Sequence, residues 1–319
     1  MFKGFAHFWL IVLLLLSTIG FTLYRLQDPN FLTSEARQVN LYSRALNQYD
    51  ALLPTDSFKT GSLTKDDVKT VLTAAIDGST FYDMLGQYLT SELHYLTGQS
   101  IEPNFNYDLT AIKGRASDKT AEVLNAKYDA LPVCGANQTH DWSLATQLPS
   151  CKLADTNIAQ TDISRSISAL ATKAVEPLPD KISLTTTSPA SERNRQIISI
   201  AVKVVKGIWL ATGILLLLYL IFRRRKAFLP LGIIFLFVGV IQVGLSLFVW
   251  DWLGRNVTDL LVKNPHYAAY STTINNTVSI IVQVLKTIFG TLSIVTLGVG
   301  VGCLALAIFW RPKPILGKL

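Results

Sequence analysis

The chain has 319 residues, half of them apolar and 16% charged, with 29 bases against 22 acids and a mean hydropathy of +0.34. An ordinary soluble domain carries about 25% charge, so this composition excludes a wholly soluble protein and a disordered one. The formal charge of +7 would point to nucleic acid only if the bases were spread out or formed a reading face, and they do neither.

Four apolar runs are expected to be membrane spans: 5–24, 207–222, 227–250 and 287–310. A helix needs about 20 residues at ~1.5 Å each to cross the hydrocarbon. The second run reaches that length if Lys203 and Lys206 snorkel outward and 197–205 extends it. The first run has no small-x-small site before Arg25, so it reads as a retained signal anchor rather than a cleaved leader.

Charge predicts the orientation. Lys3, Arg223, Arg224, Arg225, Lys226, Arg311, Lys313 and Lys318 fall at three short lips that hold no acid; all 22 acids and the remaining 21 bases lie elsewhere. The positive-inside rule then places both termini and the Arg-Arg-Arg-Lys turn in the cytoplasm, where the lips act as anchors facing anionic headgroups.

The expected outer segment, 25–206, is long enough to bury its own core. Thr33 or Ser34 is expected to cap a helix carrying Val39, Tyr42, Leu46, Tyr49 and Leu53, stopped by Pro54. Thr64 caps the next, with Asp66 and Asp67 in its first turn. After a break at Gly78-Ser79-Thr80, helical spacing resumes from Met84 to Leu96 and ends at Gly98. A fourth helix covers 109–131 and stops at Pro132, and Ile163, Ile167 and Leu170 mark a fifth. No segment alternates in the manner of a strand, so no sheet is predicted. Residues 177–190, with three prolines, read as a linker. From Ser191 a helix runs straight into the second span.

The shorter segment 251–286 is expected to hold one surface helix before Pro265, with Trp250 and Trp252 at headgroup level. A second membrane-entering helix begins near Val278. Residues 199–209 and 279–289 share six of eleven identities at a spacing of 80, which chance convergence of apolar helices explains better than a true repeat.

Few residues point to chemistry. Cys134 and Cys151, both on the predicted outer side, are expected to pair as a disulfide; a metal reading would recruit His140 but lacks a fourth ligand. Cys303 reads as a small packing residue. His7, His94, His140 and His266 form no ligand or catalytic pattern, and no phosphate-binding or nucleophile motif occurs. No cofactor or metal is predicted. Gln242 and Ser246, one turn apart in the third span, would either line a pathway or bond between helices. Gly290, Gly298, Gly302 and Ala305 of the fourth span suggest a helix-packing stripe. Asn137, Asn256 and Asn275 begin glycosylation sequons, which matter only in a host that glycosylates.

One resemblance rests on an order of features. Leu63-Thr64-Lys65-Asp66-Asp67-Val68 is followed by Tyr95-Leu96-Thr97-Gly98 and Tyr107-Asp108-Leu109-Thr110. Leu131-Pro132-Val133-Cys134 and Leu148-Pro149-Ser150-Cys151 complete the series. About a third of the chain thus resembles a family of uncharacterised bacterial integral-membrane proteins with a Leu-Pro-x-Cys element. The resemblance implies a bacterial envelope protein with a helical outer domain, and brings no activity or catalytic residues with it.

The expected fold is an all-α membrane protein. Residues 1–24 are a cytoplasmic N-terminus and first span, 25–206 a helical extracytoplasmic domain, 207–250 two spans, 251–286 an outer loop, and 287–319 the last span with its cytoplasmic tail. The expected function is non-catalytic: a membrane-anchored interaction or scaffold protein whose partners are lipids and a second copy or another envelope protein. A pore or transporter subunit is the alternative. An envelope enzyme with a site dispersed over His94, His140 and Asp141 is the third reading.

Overall fold

The computed structural model describes residues 2–52, 63–135, 147–152, 160–185, 189–263 and 271–309. The chain divides into two units. The first holds Met1–Val39, Leu93–Ile101 and Thr187–Leu319; the second holds Asn40–Glu92 and Glu102–Thr186.

The first unit is built on four helices long and apolar enough to cross a membrane. They lie in α1 (Phe2–Arg25), α8 (Pro189–Arg223), α9 (Phe228–Gly244) continuing into α10 (Trp250–Val262), and α11 (Ser271–Phe309). A 3-10 turn, Arg224–Ala227, joins α8 to α9, and a π-helical turn, Leu245–Val249, joins α9 to α10 without a break. The expected separate surface helix in 251–264 is therefore a continuation of the third span, because no helix-stopping residue intervenes before Pro265.

Helices α1 and α8 run antiparallel. His7 Nε2 lies 2.6 Å from the Tyr219 hydroxyl, Ser17 Oγ lies 2.9 Å from Thr212 Oγ1, and Gly20 lets Val205 and Trp209 approach. Leu10, fully buried, joins α1 to Tyr219, Leu231, Ile234 and Val238. Helix α2 (Pro29–Gln38) folds back at the end of α1, where Phe31 packs with Val284 and Ile288 of α11. Its cap is Asp28, whose carboxylate accepts from the Asn30 and Phe31 amides, with Pro29 at the first helical position. Thr33 and Ser34, expected as caps, instead donate back to the Pro29 and Phe31 carbonyls within the helix.

The expected single helix to Leu53 is broken at Asn40, whose φ of 52° is a left-handed conformation that asparagine tolerates. Beyond it the second unit begins with α3 (Leu41–Leu52). In α4 (Lys65–Ala75) the Thr64 side chain accepts from the Asp67 amide while Asp67 accepts from the Thr64 amide, a reciprocal cap. Helix α5 (Gly78–Leu96) is capped by Asp77 and ends at Gly98, φ 81°. In α6 (Thr110–Asp129), Ile112, Ala116, Thr120, Leu124 and Tyr128 recur every fourth residue and are all buried. They meet Val71 and Ala75 of α4 and Ile167, Ala171 and Val175 of α7 (Gln160–Val175).

The expectation of no sheet is overturned. Strands β1 (Phe105–Asp108) and β2 (Lys181–Leu184) pair antiparallel, Phe105 opposite Leu184 and Asp108 opposite Lys181. Four residues are too few to show an alternating pattern, and their partners lie far apart in sequence. Four residues of the expected linker 177–190 are thus pinned as a strand. Lys113 holds the approach to it, reaching the Leu178 carbonyl at 3.0 Å and Asp180 at 2.9 Å.

Candidate functional site

The starts of α1 and α9 and the ends of α8 and α11 gather at one end of the bundle. Arg223 closes α8 and donates to the Tyr219 hydroxyl at 3.2 Å, and Arg224, at a φ of 47°, opens the turn that also holds Arg225 and Lys226. The bases of two predicted lips, at Lys3 and at 223–226, therefore belong to helix ends that meet there; Arg311, Lys313 and Lys318 lie outside the described residues.

Midway along the bundle sits a layer of small polar contacts. Gln242 Nε2 donates to Thr18 Oγ1 at 2.8 Å, and the Ser17–Thr212 contact lies one residue away on α1. Gln242 is 2% exposed and its Oε1 has no hydrogen-bond partner. Ser246 turns instead to α11, donating to the Lys286 carbonyl at 3.2 Å. The sequence pair therefore divides: one member bonds α1, the other α11, and they do not line one surface.

The expected packing stripe is corrected within this chain. A Cβ at Gly298 or Gly302 would meet nothing within 4 Å, both glycines are exposed, and Ala305 is half-buried. Gly290 does face Ser246, at 3.7 Å. The seam with α9 runs through Gly300, where a Cβ would sit 3.0 Å from the Leu236 amide nitrogen, and through Gly232 and Gly239, covered by Leu304 and Leu297. Small residues permit close approach, but the side chains opposite decide which glycines are used.

In the second unit Cys134 and Cys151 are joined, their Cα atoms 4.9 Å apart. The two Leu-Pro-x-Cys elements lie side by side: Cys134 N donates to the Lys152 carbonyl and Lys152 N to the Pro132 carbonyl, each at 2.8 Å. Leu131 and Leu148, which open the two elements, both pack on the Leu124–Ile167 core. The pair therefore fastens the second element to the α6–α7 interface. His140, Asp141, His266 and Asn137 lie outside the described residues; His94 lies in the last turn of α5.

Two features escaped the sequence reading. Glu35 of α2 is 3% exposed and its Oε2 has no hydrogen-bond partner. Burial raises its pKa above the usual carboxylate value, while the Thr287 hydroxyl and the Arg25 charge pull the other way. The second is a cleft of about 460 Å³ between α10 and the first part of α11. Its lower end is closed by an ion pair, Lys286 Nζ to Asp251 Oδ2 at 2.7 Å, and Gly254 brings the backbone of α10 against Val282. Arg255, Asp259, Ser279 and Gln283 line it.

Compared with protein-family models, with curated proteins and with solved structures, the chain matches none.

The cleft was partly foreseeable. Asp251, Arg255 and Asp259 lie four apart, the spacing that puts charges on one helical face. The reading of 251–264 as an isolated surface helix hid what that face meets. Trp252 is 61% exposed, as a headgroup-level residue would be, whereas Trp250 turns inward onto the Phe289 ring, 5.1 Å between centroids. Among the described residues no group of three His, Cys, Asp or Glu is placed to hold a metal.

Proposed function

We propose that the protein is a non-catalytic, membrane-anchored interaction protein of a bacterial cell envelope, with both termini cytoplasmic and the helical insert outside. The observation that carries this reading is the length of its helices. α8 has 35 residues and α11 has 39, about 52 and 58 Å, against a hydrocarbon thickness of about 30 Å. About 22 Å of α8 and about 28 Å of α11 therefore continue past the apolar zone as rigid rods, a way to hold a recognition surface at fixed height. The basic lips support the orientation, and the order of features shared with the Leu-Pro-x-Cys family supports the setting.

Crosslinking in intact membranes, followed by gentle detergent extraction and mass spectrometry, tests the reading. A second copy or a distinct protein linked to the polar parts of α8, α10 or α11 is expected. A monomer with no linked partner, from membranes in which crosslinking of other complexes succeeds, would overturn it.

A pore or transporter subunit is the second reading, and the buried, half-satisfied Gln242 beside Thr18 favours it. Flux through vesicles that is abolished by Gln242→Leu would establish it over the first.

A further inference from the structure

We infer that the cleft between α10 and α11 binds the phosphoethanolamine headgroup of a membrane lipid. The inference rests on the bundle lying in a bilayer, and not on the interaction role proposed above. Charge order carries it. The Lys286–Asp251 ion pair lies where the apolar runs of the third and fourth spans end, beside the exposed Trp252. Above it along α10 come first a base, Arg255, and then an acid, Asp259. Arg255 Nε donates back to the Asp251 carbonyl at 3.3 Å, which turns the side chain toward the Asp251 end of the helix. Two cations and the Asp251 carboxylate thus sit nearest the apolar zone, a net charge of about +1, with the Asp259 carboxylate one turn beyond Arg255, a rise of about 6 Å.

Phosphoethanolamine has the complementary order. Its phosphate is attached to the glycerol at the membrane edge, and its ammonium projects two carbons farther into water. Arg255 and Lys286 meet the phosphate, guanidinium being well suited to two phosphate oxygens. Asp259 meets the ammonium. A primary ammonium has three N–H donors for Asp259 and the neighbouring Thr258 and Asn275, which also line the cleft. A trimethylated ammonium has none, and a glycerol headgroup has no cation. The volume lies within the range of small-molecule sites.

The test uses the full chain in mild detergent and reads bound lipid by native mass spectrometry with phosphatidylethanolamine, phosphatidylcholine and phosphatidylglycerol offered together. Wild-type protein should retain phosphatidylethanolamine by about tenfold over the other two, the scale of one charge-assisted contact. Asp259→Asn should erase the preference over phosphatidylglycerol, and Arg255→Gln should weaken retention of both. Gln283→Phe, which fills the cleft without changing a charge, should abolish retention. Circular dichroism melts identify which variants fold. Equal retention of the three lipids by wild-type protein, or a preference that survives in the folded variants, would overturn the assignment. Soluble phosphoethanolamine provides the remaining arm: full displacement of the lipid by an equimolar amount would mean that the cleft takes a free zwitterion and would overturn the lipid source.

Discussion

The two units are held together by different means. In the insert, α4, α6 and α7 bury a face that repeats every fourth residue, and ion pairs such as Lys127–Asp67 and Lys113–Asp180 rim the core. Water drives that burial. In the bundle the outward surface is apolar too: Leu217, Phe237, Ile294 and Val301 are all exposed. Lipid provides no hydrophobic force between helices, so cohesion comes from glycine seams and a few polar contacts. Similar helices can thus be assembled by exclusion of water in one place and by shape in another.

The disulfide offers the largest break in that comparison. Replacing both Cys134 and Cys151 with Ser should cost the insert about 3 kcal/mol in the chain-entropy account, seen as faster amide exchange in α6 and α7. Exchange in α8, α9 and α11 should not change. A uniform loss across both units would mean that they unfold together.

Gly300→Val comes next and acts on the bundle alone. The new side chain would press on the Leu236 backbone, and overpacking of this kind costs about 1–3 kcal/mol. A lower melting temperature with unchanged insert exchange is expected. Gly302→Ile is the control, since nothing lies within 4 Å of that site. Its melting temperature should match the parent, and a change in elution size would mark the face as a contact between copies.

Glu35 sharpens the comparison through pH. Its carboxyl, raised by burial, favours the protonated form when α2 is docked on α11. The stabilisation is therefore complete below the unfolded carboxyl pKa and is lost as pH rises through the raised folded value. Amide protection in α2, taken relative to the intrinsic exchange rate at each pH, should fall from acid to neutral pH, and Glu35→Gln should remove that fall. An unchanged pH profile in that variant would assign the effect to another group.

The smallest effect is expected at Gln242. Contacts of this kind between membrane helices average about 0.6 kcal/mol, and Gln242→Leu also removes an unpartnered oxygen. The thermal midpoint should shift little, in either direction. A large destabilisation would show that the polar layer contributes more than the glycine seam.

Local chemistry was legible and partner choice was not. Thr64 with Asp67 three residues on, Gly98 after a helical run, and Pro132 after α6 each state their structure in a few adjacent residues. The two cysteines could be paired because the chain holds a third only inside a span. Asn40 was missed because apolar spacing continues across it, and one left-handed residue leaves that spacing intact. β1 and β2 were missed because each depends on a partner more than 70 residues away. The glycine stripe is not the one used within this chain for a related reason: Gly298 and Gly302 are as small as Gly300, but only Gly300 stands opposite Leu236. Glu35 could not be read as buried until the fold-back after Asp28 was known.

The π-helical turn between α9 and α10 acts as a phase corrector. Gly232, Gly239 and Ser246 meet α11 at intervals of seven residues, which an α-helix keeps on one side with a drift of about 20° per interval. Gly254, the next small residue to meet it, comes eight residues later. A regular helix would have carried Gly254 about 80° round the axis, turning Asp251 and Arg255 away with it. The wider turn at Leu245–Val249 absorbs the additional residue, so the seam inside the apolar zone and the charged face beyond it stay in phase along one line. Deleting one residue from that turn should restore a plain seven-residue interval and keep both halves engaged, whereas inserting another would rotate the charged face off α11.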